Sequence, residues 1–283
     1  MKFFISLLTT LMTSCAAAQT VRPHTTAEFA KTAVKITNKA QTSGGSGVIF
    51  ESNMFNSYVL TNRHVCEILK TGGVVSTDKE TYNVVAFKTS KVHDLCVVKV
   101  GDNMHVNTVV ASDEPEIYSR AHISGHPHLL PHVVTHGDFS GKLVIDIVVE
   151  VRPCTAEEVA KHPLECLFFG HPVTDTLEAQ LVSATILPGS SGSAVFNDKG
   201  EICGLAFAGD SRELSYALIV PQPFLVNFVE YEINSLPWQY PNALADDKNS
   251  NVAPHRNRVF FPPIEAAMVF DCLGSSSCTI IER

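Results

Sequence analysis

The sequence has no basic stripe and no Arg-rich run. Its 21 Lys and Arg are outnumbered by 29 Asp and Glu, for a formal net charge of −8. The electrostatic footprint of a nucleic-acid binder is missing, so no nucleic-acid partner is expected. There is no internal repeat of fixed period and no low-complexity block. Charged residues make up only 18% against 45% apolar, which excludes a disordered chain. Beyond the first residues no stretch is long and apolar enough for a transmembrane helix. No HExxH or paired-Cys spacing is present, and no cofactor or metal is expected. What remains is 283 residues with ample apolar content for one large domain or two small ones.

The N-terminus speaks to compartment. Met1-Lys2 precedes an apolar run, Phe3 to Met12, and then the small residues Ser14 to Ala18. This is the pattern of a secretory signal peptide over residues 1–18, with Ala16-Ala17-Ala18 fitting cleavage before Gln19. Cys15 carries a rival reading. Leu11-Met12-Thr13-Ser14-Cys15 resembles a bacterial lipoprotein box, with Met12 where Leu is usual, and would anchor the chain to a membrane by a lipid on Cys15. The first reading implies a secreted or periplasmic protein, the second a membrane-anchored lipoprotein.

Cleavage after Ala18 leaves seven of eight cysteines in an oxidising compartment. Cys154/Cys166 and Cys272/Cys278 each close a short polar loop and are expected to pair. Cys66, Cys96 and Cys203 lie in apolar runs and read as small buried hydrophobes.

From about Val34 to Val220 the chain reads as short strands separated by turns. Gly47–Phe50 and Tyr58–Thr61 bracket the polar loop Glu51–Ser57. Tyr82–Phe87, Leu95–Val100, His122–Ser124, Val133–Thr135, Leu143–Val151, Gln180–Ile186, Ala194–Phe196, Ile202–Ala208 and Tyr216–Val220 follow. Strands at such spacing make a sandwich or a barrel. Helical signals are confined to Ala27–Lys35, His64–Lys70, Thr155–Lys161 and a closing helix at Pro223–Ile233. Glu165–Asp175 reads as an insertion that either shapes access to a site or is simply a loop, and residues beyond 236 as an appended tail.

Leu187-Pro188-Gly189-Ser190-Ser191-Gly192-Ser193 runs directly into the apolar Ala194-Val195-Phe196. A nucleophilic hydroxyl needs a sharply exposed turn, and backbone N–H groups beside it must point at a developing oxyanion. The glycines permit the backbone angles such a turn requires. Upstream, Tyr58-Val59-Leu60-Thr61-Asn62-Arg63-His64 places a histidine just past an apolar strand, where an imidazole can accept a proton near neutral pH. His93-Asp94-Leu95 then sets a carboxylate at the head of another apolar run, able to orient that imidazole. Each residue alone has a plainer reading: a surface or core histidine, a turn aspartate, a Gly/Ser hairpin. Their order and strand-edge placement together favour chemistry.

With those segments in view the sequence resembles the trypsin-like serine peptidases, nearest the bacterial Deg/HtrA-type branch. Thr61-Asn62-Arg63-His64-Val65 resembles that branch's T-N-x-H-V, and Asp94-Leu95-Cys96-Val97 its D-L-A-V. Gly125-His126-Pro127 resembles its G-x-P turn, and Thr135 to Gly141 its T-x-G-x-x-S-G strand. Pro188 to Ser193 resembles P-G-N-S-G-G, and Gly200 to Leu205 resembles G-x-x-x-G-I. The matches cover roughly residues 44–234. Ser190 and Ser193 depart from the usual Asn and Gly, and no PDZ-like domain follows.

The resemblance implies an all-β fold of two six-stranded antiparallel β-barrels, chymotrypsin-like, with a C-terminal helix and an appended tail. Residues 21–120 would form the first barrel, 121–235 the second and 236–283 the tail. It implies a serine endopeptidase acting on a polypeptide substrate through His64, Asp94 and Ser191. The N–H groups of Gly189 and Ser191 would form the oxyanion hole. Thr185, Gly209 and Ser215 would line the S1 pocket and select a small or medium uncharged residue. Two other readings stay open: a catalytically silent trypsin-fold binding protein, and metal binding by His122, His126, His128, His132 and His136, although Gly125, Pro127 and Pro131 break up that segment.

Overall fold

The computed structural model describes residues 24–162, 166, 171–209, 215–241, 269–271 and 279–281. The signal-peptide and lipoprotein readings, and the Cys272/Cys278 pair, lie outside these residues.

The first six strands are β1 (Ala33–Asn38), β2 (Gly44–Ser52), β3 (Ser57–Thr61), β4 (Gly73–Ser76), β5 (Thr81–Thr89) and β6 (Cys96–Val100). They form a closed antiparallel barrel in the order β1-β2-β3-β6-β5-β4. Six more follow: β7 (Arg120–Gly125), β8 (Val133–Arg152), β9 (His171–Val182), β10 (Ala194–Phe196), β11 (Ile202–Gly209) and β12 (Ala217–Pro221). Each pairs antiparallel with two others in the ring β7-β8-β9-β12-β11-β10. The expected pair of six-stranded antiparallel β units is thus present. Beyond residue 241, β13 (Val269–Asp271) and β14 (Thr279–Ile281) pair antiparallel, with Thr279 opposite Asp146 of β8.

Several strands look apolar throughout because both of their faces are covered. On β6, Cys96, Val98 and Val100 point into the first barrel, while Val97 joins a second cluster between the barrels. On β12, Ala217 and Ile219 enter the second barrel, and Leu218 and Val220 join that same central cluster. The alternation of side chains along a strand sends one set to each core. Phe29, Leu60, Phe196, Leu205 and Phe228 fill the central cluster and fasten the barrels together.

Helices are few, as expected, but their limits differ. The N-terminal helix α1 (Thr26–Thr32) stops three residues short of the expected Lys35, and the chain turns directly into β1. Val34 and Ile36 are fully buried in the first barrel, and that tertiary burial overrides local helix propensity. After β3 the chain enters α2 (Arg63–Glu67), which tightens into a 3₁₀ turn at Ile68–Thr71. The helix α3 (Ala156–Lys161) has Thr155 at its N-cap, as its sequence suggests. Glu158 accepts from the Thr155 N–H at 2.8 Å and from both terminal nitrogens of Arg152 at 2.9 and 2.6 Å. The closing helix α4 (222–235) contains a π turn at Phe228–Glu232.

Two expectations are corrected. The segment Glu165–Asp175 is not wholly a loop, since from His171 it is strand β9, paired along β8 from Arg152 opposite His171 to Phe139 opposite Val182. Cys66 and Cys96 are not lone hydrophobes but form a disulfide, because α2 folds Cys66 back over the first residue of β6 with the two Cα atoms 6.5 Å apart. The Cys154–Cys166 bridge forms as expected, and Cys203 is a buried free thiol.

Candidate active site

The candidate site lies where the first barrel meets the glycine-rich Ser191 turn of the second, with the Ser46 N–H donating to the Ser191 carbonyl. His64 comes from the first turn of α2, immediately after β3. Asp94 comes from the bend between β5 and β6. The two meet through 2.7 Å between His64 Nδ1 and Asp94 Oδ2, and the His64 backbone N–H donates to Asp94 Oδ1 at 3.0 Å. Both oxygens of one carboxylate are therefore committed to one histidine, which fixes its position and its ring. With Nδ1–H facing the carboxylate, the lone pair sits on Nε2.

The Asp94 loop is clamped from three sides, none of which the sequence motifs disclose. Asn62 Nδ2 donates to the Asp94 carbonyl at 3.0 Å. Arg63 Nη1 donates to the Ser90 and Lys91 carbonyls at 3.4 Å each. From α4, Glu232 accepts from the Ser90 hydroxyl at 3.0 Å and the Lys91 N–H at 3.1 Å, and the Phe224 ring stacks on His93 at 4.1 Å. The contacts from α4 join residues more than 130 positions apart, so only the fold reveals them.

Electrostatics follow from this geometry. Burial disfavours charge on both partners, but each stabilises the charged form of the other. The Asp94 carboxyl ends below its ordinary pKa, held there by the His64 charge and hydrogen bonds, with Arg63 adding to it. The His64 imidazole ends above its ordinary value, because the charge and hydrogen bond of Asp94 outweigh burial and Arg63.

Ser191 sits in the turn before β10, flanked by Gly189 at φ +86° and Gly192 at φ +85°. Both angles lie where a side chain is strained and glycine is not. A tight net holds the turn: the Ser190 N–H donates to the Leu187 carbonyl at 2.9 Å, the Ser193 N–H to Ser190 at 2.9 Å, and the Gly192 N–H to Ala206 of β11 at 2.8 Å. The N–H groups of Gly189 and Ser191 have no protein partner among the described residues. The Ser191 hydroxyl donates to the Phe207 carbonyl at 3.4 Å and makes no hydrogen bond to His64. The structure thus joins His64 to Asp94 directly, with Ser191 turned toward β11.

The sequence model for trypsin-like peptidase domains matches residues 45–205, a span that contains His64, Asp94 and Ser191. The chain belongs to the trypsin-like peptidase family. No curated protein matches it. Among solved structures, an inactive serine-to-alanine mutant form of Rv3671c from M. tuberculosis H37Rv superposes with a TM-score of 0.57 at 14% identity, over 76% of this chain and 92% of that one. The serine endoprotease from Yersinia pestis gives 0.54 at 20% identity, over 75% and 68%. The active form of the M. tuberculosis Rv3671c protease gives 0.53 at 14%, over 71% and 80%. At these identities the likeness concerns the fold.

Of the three residues expected at the S1 pocket of this trypsin-like peptidase domain, Gly209 ends β11 opposite Ala217, two residues beyond Ser215. A Cβ added at Gly209 would stand 2.9 Å from Ile186 Cγ1 and 3.5 Å from the Tyr216 carbonyl. Ile186 therefore occupies the space beside Gly209. Thr185 is exposed and lines a cavity of about 70 Å³ shared with Gly125, Thr135, Ser190 and Ser193.

The histidines between 122 and 136 divide into separate contacts. His122 Nδ1 lies 2.7 Å from His136 Nδ1 across the β7–β8 pair, and His122 Nε2 lies 2.9 Å from Asp198. The His126 and His132 rings meet edge-on at 5.8 Å. Among the described residues no three His, Cys, Asp or Glu are grouped to hold a metal ion.

Proposed function

We propose that this chain is an exported serine endopeptidase that cleaves polypeptides through an acyl-enzyme on Ser191. The observation that supports the reading is the two-point His64–Asp94 pair together with a glycine-flanked Ser191 at which the Gly189 and Ser191 N–H groups have no protein partner among the described residues. The Ser191 hydroxyl turns about its Cα–Cβ bond from the Phe207 carbonyl toward His64 Nε2 and attacks the scissile carbonyl. His64 takes the hydroxyl proton and gives it to the leaving amine. Asp94 holds the Nδ1–H tautomer and stabilises the imidazolium. The Gly189 and Ser191 N–H groups receive the oxyanion, and each is worth about 3 kcal/mol of barrier. Water then enters by the same path and releases the acyl group.

Ile186 beside Gly209 supports a shallow, uncharged S1 pocket that takes a small P1 residue, with Ser215 on its rim. Residues 21–120 and 121–235 serve as the two halves of the peptidase domain, and 236–283 as an appended tail. Export rests on the signal-like residues 1–18 and on the two disulfides, which persist in oxidising compartments. Among the described residues no helix is long and apolar enough to cross a membrane.

The Ser191–Phe207 hydrogen bond favours a second reading, in which the fold binds polypeptide without cutting it. Hydrolysis of casein by mature protein and by Ser191→Ala separates the two. The peptidase reading expects the variant to stay folded and lose about 10⁶ in rate, about 8 kcal/mol. Inert wild-type protein, or equal hydrolysis by both, would support the binding reading or a different nucleophile.

A further inference from the structure

Ser46 of β2 is fully buried, and all its polar groups point at the nucleophile turn or its supports. Its N–H donates to the Ser191 carbonyl at 2.7 Å. Its carbonyl accepts from the Thr61 hydroxyl, one residue before Asn62 and α2, at 2.7 Å. Its hydroxyl donates to the Gly189 carbonyl at 2.8 Å and accepts from the His126 N–H at 2.8 Å. A first-barrel side chain thereby grips two second-barrel segments at once.

Gly189 is the swivel of the turn, since its φ of +86° is open to glycine and nothing in its own side chain resists rotation. The peptides on either side are each pinned by their carbonyl. The Pro188 carbonyl accepts from the His128 N–H at 2.5 Å, and the Gly189 carbonyl accepts from Ser46 Oγ. In a trans peptide the N–H points opposite to the carbonyl, so holding the Pro188 carbonyl aims the Gly189 N–H. That hold rests on the 126–129 turn, whose entry is bonded to the same Ser46 hydroxyl. Without the hydroxyl, Gly189 O and His126 N lose their partners together, and buried unpaired groups relax toward new ones. With the His126 N–H unpaired the 126–129 turn shifts and takes with it the His128 N–H that holds the Pro188 carbonyl, so the Pro188–Gly189 peptide turns and its N–H leaves the oxyanion position. Close approach sets the tolerance: a Cβ at Gly45 would lie 2.8 Å from the Ser191 carbonyl, so β2 and the turn are already in contact.

We infer that Ser46 is a positioning residue that locks the Gly189 N–H into the oxyanion hole through its hydroxyl. The inference rests on the peptidase reading, with Ser191 as nucleophile. Ser57 provides a matched control. It is equally buried, and its hydroxyl donates to the Asp102 carbonyl at 2.8 Å and accepts from the Met104 N–H at 2.8 Å, at the opposite end of β3 from α2.

The test compares wild type, Ser46→Ala, Ser46→Cys and Ser57→Ala. It measures the rate of Ser191 acylation by a fluorophosphonate, kcat and KM on a small-P1 peptide anilide, and melting temperature. Ser46→Ala and Ser57→Ala should lose similar thermal stability. Only Ser46→Ala should lose kcat and acylation rate, by about 10² with KM little changed. Ser46→Cys keeps the volume and a weak donor, should fall between, and decides the matter if Ser46→Ala does not fold. Equal acylation rates in wild type and the folded Ser46 variants, or an equal loss in Ser57→Ala, would overturn the role of Ser46 and leave the peptidase reading intact. Wild-type protein that takes no label at Ser191 overturns both.

Discussion

Two opposing effects meet on the His64 imidazole. Burial favours the neutral ring, while the Asp94 charge and hydrogen bond favour the imidazolium and win, so the pKa stands above the ordinary value of about 6.5. The ring must be neutral to take the Ser191 proton. Activity should therefore rise with pH as the imidazolium is lost, with its acid-side midpoint above that ordinary value in a kcat/KM profile. In Asp94→Asn the charge is gone, so the midpoint should move down and kcat should fall by about 10⁴. An unmoved midpoint would remove Asp94 from its place beside His64. Cys203 shows burial prevailing over the effects that oppose it. Its thiol is pushed up to about 12 by desolvation and by Glu201, against weaker opposing effects of a backbone hydrogen bond and Lys199. Folded protein at pH 8 should leave it unalkylated by iodoacetamide, with reaction only after denaturation; alkylation of the native state would contradict its burial.

At the scale of elements, His64 stands on α2 and Asp94 just before β6, and a disulfide joins the two elements. Cys66 lies two residues past His64 and Cys96 two past Asp94, so the bridge, across a sequence separation of 30, ties together the chain just beyond each group and closes a loop that contains Asp94. Chain entropy assigns it about 3 to 4 kcal/mol. Cys66→Ala/Cys96→Ala should lose that in denaturant melts and lose kcat more than KM as the His64–Asp94 contact loosens. Unchanged kcat would limit the bridge to stability. The bridge was hidden in the sequence because both cysteines stand in apolar runs indistinguishable from core strand and helix. Likewise Ala33–Lys35 reads as the end of a helix and becomes β1, because burial of Val34 and Ile36 in the barrel outweighs local preference. Val74 and Val75 are too short a run between Gly73 and Ser76 to announce β4, which exists by pairing with β1 and β5. Strands with a clear apolar run and a turn on each side, such as Ala194–Phe196, were legible to the residue.

In the whole molecule the site is a seam. The first barrel brings His64, Asp94 and Ser46, the second brings Ser191 and the Gly189 turn, and the central cluster from Phe29 to Phe228 holds the halves in register. The family was legible because the triad candidates, the glycines and the strand edges are local features of sequence. The clamps were not, since Glu232 on the Asp94 loop and Ser46 on Gly189 are pairings at long separation that only the closed barrels create. On the proposed peptidase reading, this seam activates the Ser191 hydroxyl. Treating the mature protein with a fluorophosphonate and locating the adduct by mass spectrometry tests that claim most directly. A single adduct on Ser191 that disappears in His64→Ala is expected. A folded protein without an adduct, or an adduct on another residue, would contradict that reading.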